Sequence, residues 1–303
     1  MDDVTLTFLG TGAAISKPNR FQSSVALKHP FGLVLFDVGE GAQYNLRKYE
    51  VPIRKEITIC ISHPHPDHYQ GLPGLLASLS LLNRQEKVNL VIPKGFSDYV
   101  KLLLHACFVK TTFEINFVEM EDGSFFKGKG YLIKAIKALH FNNALSFIWI
   151  EDSRAGKWDK DILEKYAFTN ADKKLIRAGK QVEKDGKIFT PADIIGPPRM
   201  GRRVVYSGDT KYNPEMIELS RGADVLIHEA TYPADMHTTA IEREHSCTTD
   251  APNIGKLADV GLVILTHIGT RFLNPKKEKE IANKIHNTKI AKDGFQYVIK
   301  FKN

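Results

Sequence analysis

Cysteine is scarce in this 303-residue chain: Cys60, Cys107 and Cys247 are odd in number and widely spaced. Neither a disulfide framework nor a cysteine metal cage follows from such spacing. Cys60, within Ile57-Thr58-Ile59-Cys60-Ile61, reads as a buried structural thiol. No run of about 18 apolar residues is present, which excludes a membrane-spanning helix. The opening Met1-Asp2-Asp3 is acidic and leads straight into a strand-like run, whereas a secretory leader begins basic and continues apolar. The expectation is a cytoplasmic protein without a membrane partner. Sequence repeats are absent as well. With 43% hydrophobic and 25% charged residues, the chain can bury a large core and is not compositionally disordered.

Charge is modest overall but unevenly placed. The net +7 divides into +4 over residues 154–187, +6 over 271–303 and −3 elsewhere. Two basic segments on a mildly acidic body suit a polyanionic partner, although lysine-rich surfaces also serve solubility alone.

Short apolar runs alternate with helical patterns. Thr5–Leu9, Ser24–Lys28, Leu33–Asp37, Ile57–Ser62 and Val88–Ile92 read as strands, as do Tyr131–Leu139, Arg203–Ser207, Val225–His228 and Leu262–Thr266. Gly41–Glu50, Gly71–Asn83, Phe96–Cys107, Pro214–Arg221 and Thr248–Asp259 read as helices. Several strands end at an ionisable residue, and strands flanked by helices imply two sheets between helical layers in a single domain, 1–303. Residues 152–196 break this grammar. They are charged, lack sustained apolar periodicity, and are punctuated by Gly156, Gly179, Gly186 and Gly196-Pro197-Pro198. We read them as an inserted excursion with no packed element of its own; loops this long are usually functional or mobile.

The strongest local signal is His63-Pro64-His65-Pro66-Asp67-His68, directly after a strand. Three imidazoles and a carboxylate within six residues suit a zinc-class cation, and the two prolines stiffen the loop. His140, Asp209 and His267 each follow a later strand. Singly they read as turn or capping residues; together they supply one ligand from each of three further strand ends.

These segments resemble the metallo-β-lactamase superfamily, and within it the ribonuclease Z family of tRNA 3′-processing endonucleases. The resemblance runs through Phe8-Leu9-Gly10-Thr11-Gly12, Phe36-Asp37-Val38-Gly39-Glu40-Gly41 and the histidine loop into Gly71-Leu72-Pro73-Gly74. It continues through Tyr206-Ser207-Gly208-Asp209-Thr210, His228-Glu229-Ala230-Thr231-Tyr232, Glu244-His245-Ser246 and His267-Ile268-Gly269-Thr270-Arg271-Phe272. It implies an α/β fold, the four-layer αββα metallo-β-lactamase fold with an inserted basic arm. It further implies two zinc ions per chain, or manganese or another divalent ion: His63, His65 and His140 at one, Asp67, His68 and His267 at the other, Asp209 bridging. Asp37 matches a position supporting the ligands from behind, and Glu229 one that orients His245. Residues 152–196 occupy the place of the flexible arm that grips tRNA, and Trp158 looks exposed enough to help. The arm lacks the family's Gly-Pro-rich tip, the loop Pro18-Asn19-Arg20-Phe21 lacks an extra lysine, and Cys247 stands where a threonine usually follows the His-Ser pair.

The implied activity is removal of the 3′ trailer from precursor tRNA, leaving a 3′-hydroxyl on the tRNA and a 5′-phosphate on the trailer. Asp67 would help take a proton from water and His245 would protonate the leaving oxygen. Ser246, Thr270 and Arg271 adjoin these positions and could bind phosphate, or could be ordinary turn residues. A homodimer is implied too, with Gly71–Asn83 a candidate contact whose leucines could equally be core. The main alternative is a hydrolase of the same fold acting on small esters, such as a phosphodiesterase, thioesterase or arylsulfatase. An RNA-binding module with a dead site would not need all seven ligands, and a flavodiiron-type protein would need a flavin domain.

Overall fold

The computed structural model describes residues 3–301. Met1 and Asp2 of the acidic opening, and Lys302 and Asn303 of the basic C-terminal segment, lie outside the described residues. The chain divides into two compact units, residues 1–150 with 202–303, and residues 151–201.

The strands in chain order are β1 (Val4–Gly10), β2 (Ser24–His29), β3 (Gly32–Phe36), β4 (Glu56–Cys60), β5 (Val88–Pro93), β6 (Ile115–Met120), β7 (Phe125–Gly128), β8 (Tyr131–Lys137) and β9 (Leu145–Glu151). They continue with β10 (Val182–Lys184), β11 (Lys187–Phe189), β12 (Arg203–Tyr206), β13 (Val225–Ala230), β14 (Leu262–Ile268), β15 (Thr288–Ile290) and β16 (Gln296–Ile299). In the larger unit they form two seven-stranded sheets, ordered β16-β1-β2-β3-β4-β5-β6 and β15-β14-β13-β12-β9-β8-β7.

Side-chain alternation builds the layers. Along β3, Val34 and Phe36 enter the core between the sheets, while Leu33 and Leu35 face the outer helices. Along β14, Leu262 and Ile264 point inward, and Val263 and Leu265 point to the opposite outer layer. Both faces are buried, which is why these strands read as continuous apolar runs. Phe8, Phe36, Tyr131, Phe147 and Trp149 fill the space between the sheets. The helix Leu72–Leu81 covers one outside with Leu72, Leu75, Leu76 and Leu79, and the helix Asp250–Leu257 covers the other with Ala251 and Ile254. The result is the expected αββα metallo-β-lactamase fold.

Parallel pairing decides where a site can form. β3, β4 and β5 run parallel in one sheet, and β12, β13 and β14 in the other. Strands running together deliver their C-terminal ends to a common edge, where loops carry polar side chains without interrupting the core. Backbone hydrogen bonds join the two sheets there, Leu145 N–H to the Ser62 carbonyl at 2.9 Å and Ile268 N–H to the Thr11 carbonyl at 2.8 Å. Every expected strand and helix of this unit is present to within a few residues at its ends. The sequence pattern does not display β6, β7, β9, β15 or β16.

Residues 151–201 correct the expectation that this segment has no packed element. They fold as short helices, Lys160–Lys165, Asn170–Arg177 and Pro191–Ile194, with the β10–β11 hairpin. Phe168, Ile176, Val182, Phe189 and Ile194 form a small core. No element contributes more than one of these residues, so no long periodic pattern arises for the sequence to display. Local signals compensate: Thr169 with Asp172 and Thr190 with Asp193 are capping boxes, and Asp185-Gly186, both at positive φ, turn the hairpin. Trp158 is not freely exposed. It packs against this core, with the Arg177 guanidinium 5.4 Å from its ring centre.

Candidate metal centre

The sequence-predicted ligands, from four separate segments, converge at the common edge. One nitrogen each of His63, His65 and His140, with a carboxylate oxygen of Asp209, lie within 4.8 Å of one another; Asp67, His68 and His267 form a second such group. Asp209 Oδ2 faces both groups, 3.8 Å from His63 Nε2, 3.3 Å from His68 Nε2 and 3.4 Å from His267 Nε2. Nitrogen and oxygen ligands about 2.0–2.1 Å from a tetrahedral zinc stand roughly 3.3 Å apart, so these spacings fit a shared cation shell.

Two buried atoms give an independent test of that fit. His68 Nε2 and Asp209 Oδ1 have no hydrogen-bond partner. A buried polar atom without a partner costs about 1–3 kcal/mol; here His68 Nε2 lies among the Asp67 and Asp209 carboxylates, and Asp209 Oδ1 belongs to the carboxylate whose other oxygen faces both ligand groups. A divalent cation satisfies them, and the nitrogen-rich donor set suits one.

Tautomers are fixed from outside. His68 donates Nδ1–H to Asp37 Oδ2 at 2.7 Å, and His140 donates to the Glu244 carbonyl at 2.8 Å. The Ser62 hydroxyl accepts from His63 Nδ1 at 3.0 Å, and the Thr231 hydroxyl accepts from His267 Nδ1 at 2.8 Å. All four rings therefore turn Nε2 to the cluster, the nitrogen that a metal-bound imidazole would use once any proton on it is displaced. His65 instead turns Nδ1 inward, 2.9 Å from His63 Nε2 and 3.2 Å from His140 Nε2.

Asp37 anchors this outer shell. Wholly buried, it also accepts the Ser62 N–H at 2.7 Å, the Ser62 hydroxyl at 2.8 Å and the Tyr206 hydroxyl at 2.6 Å. Ser62, Tyr206 and Thr231 were not among the sequence candidates. Tyr206 and Thr231 sit inside the motif segments, but nothing local marks their hydroxyls as partners of Asp37 and His267.

Electrostatics agree with a cation site. Burial opposes charge on Asp67 and Asp209, yet neighbouring His267 and His68 hold both below the usual carboxylate range. Burial also opposes a proton on His68, but the Asp209 and Asp37 charges raise its pKa well above the ordinary value. His63 is driven well below it by burial and by His68, and stays neutral as a ligand must.

Beside the ligands, His245 Nδ1 lies 2.8 Å from Glu229 Oε1 and 4.0 Å from Asp209 Oδ2. Buried Glu229 also accepts the N–H groups of Thr210, Thr231 and Ser246 and the Thr231 hydroxyl. Burial disfavours a charged His245, but Glu229 outweighs it and pushes the pKa up to about 9. Thr270 and Arg271 are exposed, with the Arg271 guanidinium 5.6 Å from the Tyr232 ring centre. Ser246 corrects the expectation of a phosphate contact: fully buried, its hydroxyl donates to the Thr210 carbonyl at 2.6 Å.

Residues 4–156 match the family described as anti-Pycsar protein Apyc1. Over 268 residues the chain is 33% identical to ribonuclease Z of Methanosarcina mazei, covering 88% of each chain. It is 30% identical over 300 residues to ribonuclease Z of Methanosarcina acetivorans, covering 98% of each. Human tRNase Z, short form, shares the fold with a TM-score of 0.69 and 23% identity, over 98% of this chain and 99% of that one.

Thr231→Val keeps the side-chain shape but removes the acceptor that orients His267. We expect divalent-metal affinity, measured by competition with a coloured chelator, to fall about 10–100-fold. Unchanged affinity would show that Thr231 does not set the His267 tautomer.

Proposed function

We infer the activity from one premise: the chain belongs to the ribonuclease Z family, and through its first half to the family described as anti-Pycsar protein Apyc1. It is a metal-dependent phosphodiester hydrolase, an endoribonuclease that processes the 3′ ends of tRNA precursors. On our reading the cut leaves a 3′-hydroxyl on the tRNA and a 5′-phosphate on the trailer.

The observation that carries this reading is the 2.8 Å contact of Glu229 with His245 beside Asp209. A ribose 3′-oxygen is a poor leaving group and needs a proton as it departs. His245, anchored through Nδ1, keeps Nε2 for that donation. Glu229 both aims the ring and favours its protonated form.

The ligand groups suit two zinc ions, or manganese: His63, His65 and His140 at the first, Asp67, His68 and His267 at the second, with Asp209 shared. When bound, such a pair supplies Lewis acidity at the phosphate and lowers the pKa of water to about 7. Asp67, kept ionised and fixed by the Ala14 N–H at 2.8 Å, is placed to receive a proton from the attacking water. Exposed Thr270 and Arg271 offer donors to phosphate oxygens further along the RNA.

Residues 151–201 are the RNA grip, supported by the +4 charge of 154–187 carried on a folded unit. The enzyme works in the cytoplasm as a homodimer. Leu81 and Leu82, 83% and 57% exposed at the end of the Leu72–Leu81 helix, support a contact there, whereas that helix's other leucines are core. Among the described residues no helix is long and apolar enough to cross a membrane. The alternative, hydrolysis of small phosphodiesters alone, uses the same ligands but has less need of a proton donor.

Elemental analysis should find about two zinc-class ions per folded chain. Asp209→Ala should lower both occupancies, while His140→Ala mainly empties one. One ion or none in the unaltered chain would overturn the two-metal assignment.

His245→Ala should cut precursor-tRNA cleavage by about 10²–10⁴-fold and cost far less on an activated aryl phosphodiester, whose leaving group departs without a proton. Because the protonated ring is the active form, the rate on RNA should decline as pH rises toward about 9, with bound cations drawing that limb lower. Glu229→Gln removes the charge that raises the pKa, so the limb should move to lower pH. Equal losses on both substrates would remove His245 as the proton donor.

The Arg154 and Arg199 backbones pair, each N–H 2.9 Å from the other's carbonyl, so a short Gly-Ser bridge can replace residues 155–198. Aryl phosphodiester hydrolysis should persist. Precursor tRNA should bind more weakly, with a flatter dependence on salt because fewer phosphates are neutralised. Unchanged affinity and salt slope would shift the grip to the basic residues of 271–303.

A further inference from the structure

A third set of ligand-type side chains lies outside the centre described above. His237, Cys247 and Asp250 bring one nitrogen, the thiol sulfur and a carboxylate oxygen within 4.8 Å of one another. They come from three places: the start of the helix His237–Glu242, the segment after His245-Ser246, and the first turn of the helix Asp250–Leu257. His237 Nε2 stands 3.6 Å from Asp250 Oδ1, close to the ligand spacing of a tetrahedral zinc shell. The other oxygen, Oδ2, accepts the Cys247 N–H at 2.8 Å, which orients the carboxylate and leaves Oδ1 toward the histidine.

The chemistry of this trio selects one use. Cys247 is fully buried, and burial reinforced by the Asp250 charge pushes its thiol up to about 11. A thiol so firmly protonated is a poor nucleophile and a poor redox sensor. It can still ligate a soft or borderline cation, which displaces the proton directly. The S–H bond breaks, a sulfur–metal bond forms, and one proton passes to solvent. His237, half exposed, gives the entry side. A sulfur, a nitrogen and an oxygen with a fourth position open to water form a three-ligand zinc-class set.

We propose that His237, Cys247 and Asp250 form a separate site for a thiophilic divalent cation, and that filling it slows the enzyme. The coupling rests on the proposed role of His245, only two residues before Cys247. The strand-like pairing of Tyr232 with Cys247, with Tyr232 N–H on the Ser246 carbonyl at 3.2 Å and Thr248 N–H on the Tyr232 carbonyl at 3.0 Å, makes one rigid segment. The Tyr232 ring centre lies 6.1 Å from that of His245. Drawing the Cys247 sulfur toward His237 therefore shifts the backbone that holds the proton donor.

Cadmium is the probe, because a cadmium–thiolate bond absorbs in the near ultraviolet and the main centre contains no cysteine. The full chain carrying Cys107→Ser, to remove the exposed thiol, is first loaded with zinc and then titrated with cadmium. We expect thiolate absorption saturating near one equivalent per chain. Adding Cys247→Thr should abolish it, and adding His237→Ala, at an exposed position, should weaken cadmium affinity at least about 10-fold. No absorption in the Cys107→Ser chain, or absorption that survives Cys247→Thr, overturns the site. Excess zinc should slow precursor-tRNA cleavage, the reaction that needs the His245 proton, in the Cys107→Ser chain and not after Cys247→Thr. Equal slowing in both overturns the coupling while leaving the site standing on the absorption, which needs no activity. Failure of the unaltered chain to cleave precursor tRNA at all would overturn the RNA reading and leave the absorption test untouched.

Discussion

One buried carboxylate holds the centre together. Asp37 leaves β3 with φ at +57°, in the left-handed region, where aspartate is among the few non-glycine residues found with any frequency. From there it receives four hydrogen bonds: from His68, from the Ser62 backbone and hydroxyl, and from Tyr206. An unpaired charge at this depth would be severely destabilising, and four donors make it tolerable. The same bonds tie β3 and the loop after β4 to β12 in the other sheet. The interaction that orients a ligand ring is thus also one that fixes the spacing of the sheets at the edge where all the ligands meet.

That dual role explains how much the sequence could say. The strands were legible because their two faces are buried and their side chains alternate, as Leu33, Val34, Leu35 and Phe36 do. The histidine loop was legible because its ligands are neighbours in the chain. The supporting bonds were not, since Tyr206 reaches Asp37 across 169 positions and the Glu244 carbonyl reaches His140 across 104. Ser246 misled for a related reason. A serine beside a candidate proton donor suggests a substrate contact, but only coordinates reveal that its hydroxyl is buried against the Thr210 carbonyl. The 151–201 unit was missed because its core collects single residues from many short elements.

The edge tolerates strain in order to converge. His267 has φ at +51°, and a left-handed non-glycine residue costs about 1–3 kcal/mol. Gly208, at φ +59°, has no room for a side chain: a Cβ there would stand 2.8 Å from the Ser62 Cβ and 3.0 Å from the Leu145 carbonyl. These positions lie at or just beyond strand ends, where the ladder no longer dictates the backbone and the chain can turn a ligand inward. The interior aromatics, from Phe8 to Trp149, supply burial on a scale that outweighs such costs.

Burial then grades the centre by task. His63 and His68 are wholly buried and Asp209 and His267 are 3% exposed, whereas His65 and His140 are half-buried, so the shared carboxylate and the second ligand group form the dry end of the centre. The His245 side chain is 17% exposed, although its partner Glu229 is buried. A proton donor that must reach a substrate oxygen and then recover a proton cannot be sealed in, yet it needs a fixed orientation. Anchoring Nδ1 on a buried carboxylate while leaving the far side of the ring toward solvent meets both demands. A phosphodiester with a good leaving group makes less call on that arrangement, so the wet end of this gradient is the part of the centre that argues most directly for RNA.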